Sequence, residues 1–350
     1  MKAFVLAAGR GERLRPITDH IPKPLWKVGN VPLVGFSLTL AAHHGIRDII
    51  VNLHHLGKTI KEALADGEPY GVQITYSEEE ELLGTGGALK KMCASLEDDT
   101  FVVLNSDTIV DIDLHALIET HRSSGALATL VLRADPRQGE FGQIEIDETG
   151  RIRRILGQGT ALGETRPLMF AGVHVVEPRL LEYIPPDVNT CIMRYAYTKA
   201  LHNGEHLHAV VMDGYFSDAG TAERYLQANF DAMNQQMPLR HVDPLAGYAL
   251  TPKRSVAEVV RLGKDVDLAA GVHIAPPVLL GDDTRVGEHA TVGPLVAAGT
   301  GVQIGKDASV SQAVVMDDAK IDPEARVHRA IIGRKASIEL DAPAPVDGTR

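Results

Sequence analysis

The stretch that most constrains this chain lies at its start: Lys2-Ala3-Phe4-Val5-Leu6-Ala7-Ala8-Gly9-Arg10-Gly11-Glu12-Arg13-Leu14-Arg15-Pro16-Ile17-Thr18, followed by Pro22-Lys23-Pro24-Leu25. The apolar run Ala3 to Ala8 has the length of a buried strand, and it breaks into a loop rich in glycine and arginine. Gly9 and Gly11 let the backbone approach a ligand closely and turn its N–H groups outward, as a phosphate cradle requires. Residues 1–30 carry six Lys/Arg against two acids, within a chain of net charge -11. A surplus of cations at one loop predicts that it binds a polyanion. Two common phosphate loops do not fit. A dinucleotide fingerprint needs a third glycine where this chain has Arg13, and no Gly-Lys-Ser/Thr closes the loop as a Walker motif would.

The chain has 350 residues, for which two domains are expected, and its 44% hydrophobic content supplies a large core. The acidic balance argues against general nucleic-acid binding, since no basic stripe exists beyond the first loop. Cys93 and Cys191 cannot make a disulfide framework and are expected to be small buried residues. No run reaches membrane-spanning length, and the first apolar run is too short for a signal-peptide core. A cytoplasmic protein without a membrane partner is expected. The 15 histidines, His43-His44 and His54-His55 included, form no metal-ligand spacing and read as surface or packing residues.

Strand and helix patterns alternate over the first part of the chain. Ile46–Asn52, Val72–Tyr76, Phe101–Leu104 and Ala128–Leu132 read as strands; Leu33–His44, Lys58–Ala65, Gly87–Leu96 and Leu114–Ser123 read as helices. This order predicts an α/β fold with a doubly wound, mostly parallel sheet and ligands at the carboxyl ends of its strands. The loop after Ala8 and Asp107 both fall at such ends. The middle is richer in strands (Phe141–Ile146, Leu168–Val176, Leu207–Val211), with helices near Arg179–Tyr183 and Cys191–His202, and a helix runs from Ala222 to about Gln235. Residues 237–265 read as a linker. From 266 to 340 an aliphatic–Gly–x–x–Ala–Thr/Ser–Val pattern recurs, best at Val286–Gly293 and Ile304–Val310, and predicts a short left-handed parallel β-helix of hexapeptide repeats. Val292, Ile304 and Val310 should fill its interior. Residues 341–350 read as a disordered tail.

The N-terminal string, with Pro-Lys-Pro-Leu after it, resembles the signature of the sugar-1-phosphate nucleotidyltransferases. The resemblance covers about residues 1–235 and implies a Rossmann-like catalytic domain over 1–236, with the β-helix serving oligomerisation or regulation. It also implies transfer of a nucleotidyl group from an NTP to a sugar 1-phosphate, with release of pyrophosphate. In the roles it implies, Arg13 and Lys23 are catalytic: the arginine lies over the β- and γ-phosphates and the lysine at the reacting phosphate. Asp107 and Asp218 resemble the two metal motifs and would hold Mg²⁺, a hard cation that takes one or two carboxylates. Ser106 departs from the glycine commonest before the first aspartate. Nucleotide contacts are expected from Leu6, Ala8, Gly9 and Gly11, and from Leu83-Gly84-Thr85-Gly86-Gly87, with Gly84, Thr85 and Gly87 at the base and Glu79 at base or ribose.

Sugar-phosphate contacts are expected from Gly142, after Phe141, and from Gly172, after Phe170-Ala171. The Glu-Lys-Pro of many relatives is replaced by Leu156-Gly157-Gln158-Gly159, so another cation must hold the sugar phosphate; Arg154 and Arg194 are the candidates. These features resemble the mannose and manno-heptose guanylyltransferase branch, and make GTP with a sugar 1-phosphate of that type the expected pair. A uridylyl- or thymidylyltransferase, a bifunctional enzyme whose β-helix transfers an acyl group, and a non-catalytic regulatory subunit are the alternatives. Retention of Arg13, Lys23, Asp107 and Asp218 argues against the last. Every catalytic candidate lies before residue 222, so the chemistry is expected to survive a cut near Leu262 and the β-helix to hold a homo-oligomer.

Overall fold

Val5 sits in the middle of the first strand with no solvent exposure, and so do Ala3 and Phe4 beside it. A strand apolar on both faces belongs inside a parallel sheet covered on both sides. That is what the computed structural model shows; it describes residues 1–29, 31–136, 143–160, 163–242, 249–251 and 259–341. The chain divides into two compact units: Met1–Arg10, Leu33–Phe216 and Leu239–Val242 form the first, and Gly11–Pro32, Ser217–Pro238 and Asp243–Arg350 the second.

The first unit is built on β1 (Ala3–Leu6), β2 (Asp48–Leu53), β3 (Gln73–Glu78) and β4 (Phe101–Asn105). They run parallel in the order β3-β2-β1-β4. β5 (Ala128–Arg133) and β6 (Arg166–Val176) extend the sheet; β6 is antiparallel to both β4 and β5, and β7 (Leu207–Val211) is parallel to β5. Register places Asn52 and Asn105 on either side of Leu6, at the carboxyl ends of three neighbouring strands. The expected α/β sheet is therefore present, its parallel centre extended on one side by antiparallel strands that include 144–146, 152–155 and 158–159.

Local boundaries differ where glycine or a missed strand intervenes. The helix expected from Gly87 begins at Gly84, runs to Lys91 and is followed by a separate turn, Cys93–Leu96. Thr108–Val110 and Ile152–Ile155 are strands, each too short to show periodicity. The segment read as one helix over Cys191–His202 is a π-helix (Ile192–Tyr197) continued by an α-helix (Thr198–His202). Pro178–Tyr183 is a 3-10 helix. Cys93 and Cys191 are half-buried rather than buried. Residues 342–350, expected as a tail, and most of 243–258 lie outside the described residues, and among those described no helix is long and apolar enough to cross a membrane.

The second unit carries the β-helix. Strands at 260–262, 278–280, 296–298, 313–315 and 330–332 stack in parallel as one face; 267–268, 285–286, 303–304 and 320–321 form a second, and 273–274, 291–292, 309–311 and 326–328 a third. Equivalent residues recur after 18, 18 and 17 residues (Val260, Val278, Val296, Ala313), one coil of three hexapeptides. Val292, Ile304 and Val310 point inward and are at most 3% exposed. Corners need left-handed backbone, and Asp283, Gly301 and Asp318 occupy one such corner in successive coils, at φ 57°, 69° and 57°. The first face ends in antiparallel strands at both sides, 249–251 and 337–339, which pair with strand edges that the parallel stack alone would leave open.

That same face is apolar outward as well as inward. Leu279, Ala297, Val314 and Ile331 alternate with the inward residues, yet all are 4% exposed or less. Helix Ala222–Met233 packs over strands 313–315 and 330–332, and Ile17 lies by Gly333. Residues 11–32 and 217–238, which chain order would place with the sheet, therefore form one body with the prism.

In the first unit, four histidines meet. His44 lies with its ring centroid 5.2 Å from His43, 5.0 Å from His115 and 4.8 Å from His241. Arg240 fixes the incoming segment by donating from its backbone N–H and its Nε to the two oxygens of Asp111, at 3.1 and 3.0 Å. Burial, then the neighbouring His241, hold His44 down to about 4, against partial opposition from Asp113. Because the folded value is depressed below 6.5, the unfolded chain binds more protons at lower pH, and the stability present above pH 6.5 is lost as pH falls toward 4. Urea midpoints should fall across this window, and less steeply for His44→Asn; equal slopes in both proteins would refute the assignment.

Candidate functional site

In the first unit the site grows from the end of β1. Leu6 is half-buried, Ala7 and Ala8 are at most 4% exposed, and Gly9 faces open space, so nothing blocks a ligand from the backbone there. The Leu6 carbonyl accepts from both the N–H of Ser106, at 3.2 Å, and its hydroxyl, at 2.6 Å. Ser37 caps the Asn105 carbonyl at 2.8 Å. The serine that departs from the family's glycine thus ties the carboxyl ends of β1 and β4 together and fixes the backbone just before half-buried Asp107.

A buried polar chain continues sideways. Ala7 N–H donates to Asn52 Oδ1 at 2.8 Å, Asn52 Nδ2 donates to Glu79 Oε1 at 2.8 Å, and Leu83 N–H donates to Glu79 Oε2 at 3.0 Å. Glu79 is 6% exposed. Both of its oxygens are engaged by the protein, which makes it a support for the backbone at Leu83. Asn52 was missed altogether, and only its register beside Leu6 reveals it.

The glycines after Leu83 are required by a neighbour that no local pattern announces. Gly84 has φ +68°, and a side chain there would meet Thr190 O at 2.6 Å; one at Gly87 would meet Val188 O at 2.6 Å. Gly86 N–H donates to Thr190 O at 2.7 Å, Thr190 N–H to Leu83 O at 2.9 Å, and Ile192 N–H to Thr85 Oγ1 at 2.9 Å. Segment 188–192 thus lies against the first turn of the helix that begins at Gly84. Gly172, at φ +82°, lies where the pairing of β6 with β5 slips, close to Asn105 and Thr108. Arg154 is paired with Glu145 at 3.4 Å, and Arg194 is exposed on the π-helix. Gly142 lies outside the described residues.

The second unit holds the cations. Gly11, at φ +64°, packs so tightly that a side chain would meet Thr18 Cγ2 at 2.9 Å and Lys23 Cβ at 3.5 Å. Thr18 also donates its hydroxyl to Gly11 O at 3.0 Å. The loop is therefore a closed turn that brings Gly11 beside Lys23, itself only 8% exposed. Arg13 is exposed, and a side chain at Gly220 would come within 3.1 Å of its guanidinium, 3.1 Å of that of Arg224 and 3.4 Å of the Asp218 carboxylate. Arg224 pairs with Asp218 at 2.9 Å. Arg13, Asp218 and Arg224 thus converge on a glycine that leaves room between them. Arg224 was not foreseen; its signal was its position, six residues after Asp218 on the first turn of a helix. Among the described residues no group of three or more His, Cys, Asp or Glu could hold a metal ion.

A mostly parallel sheet whose first strand opens into a tight, cation-bearing glycine loop defines an α/β protein that handles phosphates. The nucleotidyl transferase family matches residues 2–235, and the GMPPB C-terminal domain matches residues 274–343. The chain belongs to the nucleotidyl transferase family, among its sugar-1-phosphate nucleotidyltransferases. It is 34% identical to a UTP–glucose-1-phosphate uridylyltransferase of Synechocystis, over 70% of this chain and 68% of that one. It is 32% identical to a mannose-1-phosphate guanylyltransferase of Mycobacterium tuberculosis, over 67% and 66%. Among solved structures, a putative glucose-1-phosphate thymidylyltransferase from Bacillus anthracis superposes with a TM-score of 0.58 at 25% identity, covering 66% of this chain and 94% of that one.

The Glu79 arrangement makes a sharp prediction. Its two partners are both donors, and Asn52 cannot turn round without facing the Ala7 N–H with its own amide hydrogens. Glu79→Gln therefore leaves one buried donor unanswered, and should cost about 1–3 kcal/mol in denaturant unfolding. A Gln variant as stable as the parent would show that the carboxylate is not held as described.

Proposed function

We propose that this protein transfers a guanylyl group from GTP to a mannose- or manno-heptose-type sugar 1-phosphate, releasing pyrophosphate. The observation that carries the reaction class is the closed loop that seats Lys23 against Gly11 in the unit where Arg13 converges with Asp218 and Arg224. The match of residues 274–343 to the GMPPB C-terminal domain and the mannose-1-phosphate guanylyltransferase relatives support guanine. The uridylyl- and thymidylyltransferase relatives define the competing bases.

The chemistry asks little of the protein in covalent terms. A sugar phosphate loses its second proton near pH 6, so at neutrality it is already a nucleophile and no general base is needed. What remains is to hold two polyanions together and to neutralise charge developing on the leaving group. Arg13, with its planar fork, is assigned to the β- and γ-phosphates, and Lys23, a compact ammonium, to the reacting phosphate. Main-chain N–H groups from Ala8 to Gly11 receive the nucleotide phosphates, and the helix start over Gly84, Thr85 and Gly87 receives the base. Arg194, exposed, is a better candidate for the sugar phosphate than Arg154, whose charge Glu145 already answers. Gly172 would offer its backbone to the sugar.

Asp107 and Asp218 are half-buried carboxylates, hard oxygen donors of the kind Mg²⁺ takes alongside substrate phosphates and water. They are the residues that would hold the ion, which when bound supplies charge neutralisation at the phosphates. We assign the chemistry to residues 1–236 and self-assembly to 266–340, in a cytoplasmic homo-oligomer.

Lys23→Ala and Arg13→Ala should each lower turnover by about 10²–10³ with the fold intact, the usual cost of removing one preorganised charge. Pyrophosphate release measured with five NTPs against several sugar 1-phosphates should be fastest with GTP. Near-parental rates in either variant would sink the catalytic assignment, and faster turnover with UTP or dTTP would replace the base. Excess EDTA should abolish activity, with Mg²⁺ restoring it; full turnover in EDTA would remove the metal from the scheme.

A further inference from the structure

Lys23 sits in a loop that folds around one indole. Trp26 N–H donates to Lys23 O at 3.0 Å, and the indole N–H reaches back to Ile21 O at 3.1 Å. Residues 21–25 are thereby closed over the ring, which is 1% exposed. Tyr225 meets it edge-on with centroids 4.8 Å apart. The Tyr225 hydroxyl donates to Lys27 O at 2.7 Å, and Asn229 Oδ1 accepts from Gly29 N–H at 3.1 Å, so the helix grips the strand that follows.

The other side of this assembly is the prism. Lys27 pairs with Asp317 at 2.6 Å, and a cavity of about 60 Å³ lies where Trp26 and Tyr225 face Ala297, Val314 and Met316. All of these residues belong to the second unit. We infer that the prism coil carrying Asp317 positions Lys23: Asp317 sets the register of residues 27–28 through Lys27, and Trp26 passes that register to the Lys23 turn. Asp317 and Trp26 are positioning residues; neither is assigned a contact with substrate. The β-helix is then part of the catalytic scaffold, against the expectation that the chemistry survives its removal.

The magnitudes favour an effect on rate over one on stability. Asp317 and Lys27 are a third or more exposed, and an ion pair at that exposure contributes little to the unfolding free energy. A displacement of roughly 1 Å at a reacting group can nonetheless cost about 10²-fold in rate. The kinetic consequence rests on the nucleotidyl-transfer reading; the structural one does not. Trp26 is the single tryptophan of the chain, so its emission reports on this seam directly.

The experiment is Asp317→Lys in the full chain, alone and combined with Lys27→Glu, read by pyrophosphate release and by acrylamide quenching of tryptophan emission. Asp317→Lys should lower kcat about tenfold or more, leave KM for GTP within about twofold and raise the quenching constant, while the reversed pair recovers most of both. Parental kcat and quenching in Asp317→Lys, or a loss that the reversed pair does not recover, would overturn the proposal. If Asp317→Lys does not fold by circular dichroism, Tyr225→Phe, which removes one hydroxyl from the Lys27 carbonyl, takes its place. Higher quenching with lower kcat is expected there, and no change in either would overturn the proposal. Should the parent protein turn over no NTP with any sugar 1-phosphate, the functional reading fails alone, and quenching with its recovery in the reversed pair decides the seam.

Discussion

Gathering like charges is the constraint on which the rest of this structure depends. Arg13, Arg224 and Lys23 lie in one unit, where like charges repel, and Lys23, 8% exposed, gives up most of its water as well. Asp218 answers part of that charge through Arg224. The rest of the cost is met by rigidity. Gly11, packed against Thr18 and Lys23, leaves the turn nowhere to relax. The closure of residues 21–25 around Trp26 and the apolar outer face of the prism hold it from behind.

The first unit solves a different problem with neutral groups and one carboxylate. The carboxyl ends of parallel strands leave backbone polar groups that must be satisfied without occupying the space a ligand needs. Ser106 answers the Leu6 carbonyl from below, and Asn52 with Glu79 links Ala7 to Leu83 from the side. These side chains keep the backbone taut around a loop end at Gly9 that stays open. The glycines from 84 to 87 then admit segment 188–192 at distances no side chain could tolerate.

Much of this was legible in the chain itself, because the signals were local. The apolar run of β1, the strand–helix alternation and the six-residue repeat are periodicities, and periodicity is a property of neighbours in sequence. Gly11 could be read as a tight turn beside cations without knowing its partners. The tie from Glu79 to Asn52 and Leu83 could not be read, because an acid run looks the same whether or not a member meets buried donors. The His43, His44, His115 and His241 cluster was equally invisible, since its members come from three separate segments.

What the sequence by itself determined is the pair of architectures and the tight, cation-bearing turn after the first strand. These follow from backbone propensity, side-chain period and charge, which act over a few residues. Only the tertiary structure decided which compact body each piece joins. Residues 11–32 and 217–238, which interrupt the sheet in chain order, belong to the compact body of the prism. The reason is burial: the outward stripe Leu279, Ala297, Val314 and Ile331 needs an apolar cover, and Ile17, Trp26 and Tyr225 need an apolar wall. Complementarity of that kind is a property of two surfaces distant in the chain, and neither stretch of sequence states it alone.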